Sequence, residues 1–298
     1  MRVAAIDLGT VSSRLLTAEV DGGSIVRSAK RTEITDLGQG VDATGLLSDE
    51  AIDRVIGACA SFVDEISAFE PDAVCCTLTS AARDAGNGRV LLSGLEGLGL
   101  RPQVIPGEVE ARLTFYGVAH DFAGERIAVA DSGGGSTELT RIDGGRDFDN
   151  ASMGQGSLSS FARYVRGILP TATESEAIAC RLRARLGALP DARAYRASVL
   201  YGIGGSVRAA AKMQAQAAGD IVRPKSMTAD EIRAILEWCH EDPDTFAHTA
   251  LKASAERIHT LVPGCVILLA LFEELGAERL EICKYGVREG YLIERMLS

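Results

Sequence analysis

The segment IAVADSGGGSTELT, Ile127 to Thr140, decides how the rest of this sequence is read. An apolar run ends in Asp131 and opens, one residue later, into Gly133, Gly134 and Gly135. The run fits a buried strand, and consecutive glycines after it form a turn whose backbone N–H groups approach an anion without side-chain obstruction. Ser132 lies in the same turn, and Ser136 and Thr137 add hydroxyl donors. Glu138, seven positions after Asp131, would return on the next strand towards the same anion. Two carboxylates beside a phosphate suggest a divalent metal ion, with Mg2+ the expected cofactor.

The N-terminal stretch VAAIDLGTVSSRLLTAEVDGG repeats this pattern at an offset of 124 residues (131 − 7). In that register Asp7 falls on Asp131, Gly9 on Gly133, Ser12 on Ser136 and Leu15 on Leu139, with Thr10 inside the first turn. Each copy reads as a strand, a phosphate-sized turn, a second strand, and a Gly-Gly hairpin at Gly22-Gly23 or Gly144-Gly145. The chain is therefore expected to be internally duplicated.

A duplicated domain with Asp-x-Gly turns facing each other across a cleft resembles the actin, sugar kinase and heat-shock chaperone ATPase superfamily. Six motifs narrow the resemblance: AIDLGTVSSRLL, TSAARDAGN, VIPGEVEARLTFYGV, DSGGGSTEL, YGIGGS and YGVREG occur in the order seen in the exopolyphosphatase and guanosine pentaphosphate phosphohydrolase (Ppx/GppA) family. The resemblance runs from Ile6 to Gly290 and is to the short form, since the chain stops at Ser298 without the C-terminal helical region of larger members. It implies an α/β fold of two duplicated ribonuclease-H-like domains flanking a cleft. The expected domains are 1–120 with the C-terminal helix 288–298, and 121–287. The implied activity is removal of terminal orthophosphate from inorganic polyphosphate or guanosine pentaphosphate, and the resemblance allows a homodimer. An ATP-dependent kinase of the same superfamily and a noncatalytic actin-like nucleotide-binding protein are the competing classes.

Residue roles follow from the same resemblance. Glu110, directly before Ala111-Arg112-Leu113, takes the position of the base for the attacking water, although Val109 stands where relatives carry another acidic residue. By itself Glu110, like Glu108, could do no more than interact favourably with the N-terminal dipole of a helix opening at Pro106. Arg83 in TSAARDAGN is implied to lie near bound phosphate, whereas the residues alone allow a first-turn charge beside Ser80 as helix cap. Gly9, Thr10, Ser12 and Ser132 to Ser136 would hold phosphate from both halves, and Gly204, Gly205 and Ser206 would line the cleft for terminal phosphates. Asp7, Asp131 and Glu138 are the candidate magnesium neighbours.

Composition sets bounds. At 298 residues and 46% hydrophobic content, two cores are natural. A net charge of −10 argues against a nonspecific nucleic-acid binder, so a polyanionic substrate requires a local basic track. The sequence shows no apolar run of membrane-spanning length and no signal-peptide pattern, and a cytoplasmic location is expected. Seven cysteines without a C-x-x-C pair read as reduced core thiols. Cys239, His240 and His248 fit a surface loop better than a zinc site.

Patterning predicts a helix capped by Ser48 and stopped before Pro71, a strand at 73–79, and a helix opening at Ser80. Further helices are expected at 157–168, 173–189 and 207–216, and from the Thr228 cap through Trp238. Between 255 and 275 two helices separated by Pro263-Gly264 are predicted, followed by a strand at 279–283 and a terminal helix that, by the resemblance, packs on the first domain.

Overall fold

The computed structural model describes residues 1–22, 24–119, 127–143, 146–283 and 286–296. Gly23, the Gly144-Gly145 turn, Lys284-Tyr285 and the expected boundary at 120/121 lie outside the described residues. The first sheet contains β1 (Arg2–Leu8), β2 (Ser12–Asp21), β3 (Ser24–Ile34), β4 (Ala73–Leu78) and β5 (Pro102–Val104), in the order β3-β2-β1-β4-β5. The second contains β6 (Ile127–Ser132), β7 (Thr137–Asp143), β8 (Arg146–Met153), β9 (Val199–Ile203), β10 (Ser226–Met227) and β11 (Arg279–Ile282), ordered β10-β11-β9-β6-β7-β8. In each, the first three strands form an antiparallel meander and the first strand then pairs parallel with a later one. The sequence duplication is thus a duplicated α/β topology, with β10 added at one edge.

In the first half the helices are α1 (Val41–Thr44), α2 (Asp49–Phe69), α3 (Ser80–Asp84), α4 (Gly88–Gly97) and α5 (Gly107–Ala119). The second half carries α6 (Ser157–Tyr164), α7 (Ala172–Gly187), α8 (Gly204–Ala218), α9 (Ala229–Glu241), α10 (Pro243–Ser254) and α11 (Ile258–Leu275). The chain ends in α12 (Val287–Tyr291) and a π-helical turn, Leu292–Met296. Local chemistry places several starts. The Ser48 hydroxyl accepts from Ala51 N–H, and Thr171 and Thr228 each form a reciprocal box with a glutamate three residues on.

Several boundaries differ from the sequence reading. Helix α11 runs unbroken through Pro263, because nearly every side chain from Thr260 to Leu268 is buried and tertiary packing outweighs the missing N–H. Gly264 lets α11 approach α8, since a methyl group there would lie 2.8 Å from Ser206 Oγ. Cys239 and His240 belong to α9 and His248 to α10, so they do not form a surface loop. Ser80 is a helical residue bonded to Asp84 (3.0 Å), and Thr79 occupies the cap position. The continuous helical stretch Pro243–Leu275 is long and apolar enough to span a membrane, contrary to the sequence reading, but 72% of its apolar window is buried as core.

Two connections tie the halves together. Phe115 and Val118 of α5 pack on Ile127, Val129, Ile142 and Tyr201 of the second sheet. Leu292, at the C-terminal end, packs beneath Val3, Ala5 and Leu16 of the first. Helices α5 and α12 cross closely, and at Gly290 an added methyl group would overlap the Leu113 carbonyl oxygen. That crossing brings Glu110 and Arg288 to one place.

Candidate active site

Pairing of β1 with β2 and of β6 with β7 makes two hairpins whose tight ends meet. Gly9 N–H donates to the Ser12 carbonyl at 3.1 Å and Gly133 N–H to the Ser136 carbonyl at 3.0 Å, so both copies are closed by the same bond. A methyl group on Gly134 would lie 2.5 Å from Val11 Cγ2, and one on Gly135 would lie 2.7 Å from Thr10 Oγ1. Glycine is therefore required here by the approach of the opposite turn as well as by access to an anion. The turns border a cleft of about 760 Å³ including its mouth.

Most of the predicted site residues line this cleft. Asp7, Gly9, Thr10, Ser12 and Glu110 come from the first half, and Asp131, Ser132 to Ser136, Gly204 and Gly205 from the second. Three stand off its wall. Glu138 is buried, with Oε1 accepting from Ser152 Oγ at 2.8 Å. Ser206 donates to the Ser132 carbonyl at 3.2 Å, fastening the start of α8 to β6. Arg83 is bonded to the Ile105 carbonyl (3.0 Å) and Glu110 Oε2 (3.4 Å), which makes it a holder of the glutamate.

The carboxylates perturb one another. Burial pushes Glu110 well above the usual carboxylate range, with Glu138 and Asp131 pushing the same way against Arg83. Burial also raises Asp131, opposed by Arg14 and Arg208. Glu138 is raised to about 7, first by burial and then by Asp131. Because native Glu138 holds its proton more tightly than the unfolded chain does, its contribution favours folding below pH 4.5 and is lost as the pH rises to about 7. In metal-free buffer Glu138→Gln should therefore gain melting temperature over the parent progressively across that window and level off above it. Parallel melting profiles for the two proteins would contradict this coupling.

Facing the acids are four arginines, Arg14, Arg208, Arg257 and Arg288. Burial, followed by repulsion from Arg14, lowers Arg208 and Arg257 to about 10 each and lowers Arg288 as well. Arg14 lies 3.8 Å from Asp7, whereas Arg288 Nη1 and Ser132 Oγ are buried and have no hydrogen-bond partner among the described residues. Guanidinium groups gathered against their own repulsion are built for a polyanion. The sequence reading did not assign any of the four to the site. One signal was available: Arg14 stands opposite Asp7 as Glu138 stands opposite Asp131, so the repeat marks position 14. The two copies have diverged there into an ion pair and a pair of acids.

Glycines 204 and 205 open α8 directly. Gly204 has φ +97°, and a methyl group on it would lie 2.6 Å from Asp131 Oδ1. A methyl group on Gly205 would overlap the Arg257 guanidinium, the movable end of a flexible side chain. Gly205→Ala should thus displace Arg257 and raise KM for an anionic substrate by roughly tenfold with little change in melting temperature, while Gly204→Ala should lower stability. Steady-state kinetics and thermal melts on the two variants check this, and an unchanged KM for Gly205→Ala would remove Arg257 from substrate binding.

The donor set suits a hard divalent cation. Asp7 and Asp131 present only oxygen to the cleft, and the crowding of Asp131, Glu110 and Glu138 is what a cation between them would relieve. Among the described residues no three His, Cys, Asp or Glu side chains are grouped closely enough to hold an ion by themselves. One or two carboxylates completed by phosphate oxygens and water remain the fitting arrangement, which is how magnesium is usually held.

A family model described as the Ppx/GppA phosphatase family matches residues 16–298. A curated guanosine-5'-triphosphate,3'-diphosphate pyrophosphatase of Photobacterium profundum is 29% identical over 297 residues, covering 98% of this chain and 59% of that protein. The chain therefore spans less than two thirds of that relative's length. The crystal structure of an Aquifex aeolicus Ppx/GppA family member is similar with a TM-score of 0.80 at 25% identity, covering 100% of this chain and 98% of that one. An exopolyphosphatase-like protein gives 0.85 at 26% identity over 100% and 99% of the two chains. An exopolyphosphatase from Cytophaga hutchinsonii ATCC 33406 shares the fold at 21% identity, with a TM-score of 0.88 over 100% and 98%.

Proposed function

The chain belongs to the Ppx/GppA phosphatase family, and on that premise we propose that its cleft removes the terminal orthophosphate from inorganic polyphosphate, with guanosine pentaphosphate as a second substrate. The observation that carries this reading is one cleft lined together by the carboxylates Glu110 and Asp131, the arginines Arg14, Arg208, Arg257 and Arg288, and the two glycine turns. Phosphoryl transfer asks mainly for positioning and charge neutralisation around an in-line nucleophile. The N–H groups of the two turns hold the terminal phosphate, and the arginines hold the phosphates behind it. Magnesium, held by Asp7 and Asp131 with Glu138 supporting the latter from behind, would neutralise phosphate oxygens.

Glu110 supplies the base. Its raised affinity for a proton suits it to accept one from water as the water oxygen bonds to the terminal phosphorus. The bridging P–O bond breaks, and its electron pair leaves with the shortened chain, whose charge the arginines already balance. Orthophosphate is the product. Arg83 keeps the Glu110 carboxylate aimed, and the α5–α12 crossing brings Arg288 to the same cleft.

The basic lining continues outward. Arg14, Arg208, Arg257 and Arg288 also border an adjoining hollow of about 940 Å³ including its mouth, where Arg223 adds to the positive lining and Lys30 and Lys212 stand paired with Glu289 and Glu256. Such a trail suits an anion longer than one or two phosphates, which favours polyphosphate as the substrate. The test is orthophosphate release with magnesium from polyphosphates of several lengths, guanosine pentaphosphate, and ATP with and without a sugar acceptor. The reading expects release without an acceptor and fastest from polyphosphate; turnover only with ATP and an acceptor would make the protein a kinase.

A further inference from the structure

A second basic cluster lies outside the cleft. Arg181 and Arg185 are four residues apart on α7 and share one helix face, and Arg163 lies in the last turn of α6. Arg163 and Arg181, with Asp42 of α1 and the serines 159 and 160, line a cup of about 210 Å³ including its mouth. Arg185 stands beside it, its Nη1 3.6 Å from where a methyl group on Gly154 would sit.

Among the described residues none of these three arginines forms an ion pair within 4.0 Å. The Nε of Arg185 is buried and has no hydrogen-bond partner among the described residues. Burial lowers the affinity of Arg185 for its proton, and Arg181 and Arg163 lower it further. The carboxylate turned towards them is Asp42, raised by burial against the pull of Arg163 and Arg181, with Asp84 of α3 adding repulsion. The Ser159 hydroxyl proton is already given to backbone carbonyls, so the guanidinium groups and the Ser160 hydroxyl supply the surplus of donors over acceptors that complements a tetrahedral oxyanion.

We propose that this cup is a second oxyanion site, separate from the cleft, which takes a phosphate group supplied either as orthophosphate or as a unit of a polyphosphate chain. Asp42 lines the edge of the cup, where its charge opposes an incoming anion. The site is wired to the glycine turn: Ser159 Oγ donates to the Gly135 carbonyl at 3.3 Å, and the N–H groups of Leu158 and Ser159 donate to the Gly134 carbonyl at 2.8 and 3.0 Å. An anion that draws on α6 therefore acts directly on the turn that borders the cleft. The inference is independent of what the cleft hydrolyses.

Equilibrium dialysis of radiolabelled orthophosphate in metal-free buffer tests it. The double variant Arg181→Gln/Arg185→Gln should bind one fewer orthophosphate per chain than the parent, and Asp42→Asn should bind at the cup about threefold more tightly. Unchanged stoichiometry in the double variant overturns the proposal. Should that variant fail to fold, Asp42→Asn decides alone, and an affinity equal to the parent's overturns it. Tripolyphosphate, used in the same buffer, separates the two sources: binding at the cup about tenfold tighter than orthophosphate marks a chain, and equal binding marks free orthophosphate. Orthophosphate release from polyphosphate, measured separately with magnesium, reads the cleft and leaves the stoichiometry of the cup to stand or fall separately.

Discussion

Glu110→Gln should lower turnover by roughly a hundredfold or more while leaving the fold intact, because the change removes the proton acceptor and keeps the shape of the side chain. Its partners make the case sharper than the sequence could. Glu110 is buried on the cleft wall between Arg83 and the carboxylates Glu138 and Asp131. Neutralising it relieves repulsion, so the melting temperature should hold or rise. Were Glu110 only an acid at a helix start, the variant would instead lose up to about 1 kcal/mol and keep its turnover. Glu108, two residues earlier on the same helix, is exposed, and Glu108→Gln is expected to be nearly silent. Equal rates of orthophosphate release from the two variants would refute the assignment of the base.

Asp131→Asn should be almost as damaging, with a loss of about a hundredfold or more that added magnesium does not restore. Asp131 stands next to the last residue of β6, has Arg14 and Arg208 as the charges favouring its ionised form, and stands in register with Glu138. The amide preserves volume and removes the charge on which a hard cation depends. The readout besides activity is manganese binding followed by paramagnetic relaxation: it should weaken in Asp131→Asn while the melting profile stays close to the parent's. Manganese affinity equal to the parent's, together with normal turnover, would remove Asp131 from the metal-binding set.

Much of this architecture was open to a reader of the sequence. The repeat at Asp7 and Asp131, the glycines after each, and the serines that follow specify two equivalent hairpins, because an apolar strand, a tight turn and a returning strand are local patterns. Helix starts at Ser48 and Thr228 were legible for the same reason, since a cap and its partner lie three residues apart, whereas the helix expected from 173 is capped by Thr171. The Pro263 break was wrong because burial around α11 is a property of its neighbours. The hydrogen bond from Arg83 to Glu110 joins residues 27 apart in the chain, a pairing that no local spacing encodes.

By itself, then, the sequence determined the duplicated α/β plan and the two phosphate-sized turns, since these rest on periodicity and on residues close along the chain. Only the tertiary structure decided the charge pattern of the cleft. Arg14, Arg208, Arg257 and Arg288 come from β2, α8, the turn before α11, and α12, and their convergence is visible only once the two sheets face each other and α12 crosses α5. The same holds for the acids: Glu110 reaches Asp131 because α5 packs across the second sheet, and what each carboxyl does with its proton is set by neighbours distant along the chain, through burial and charge.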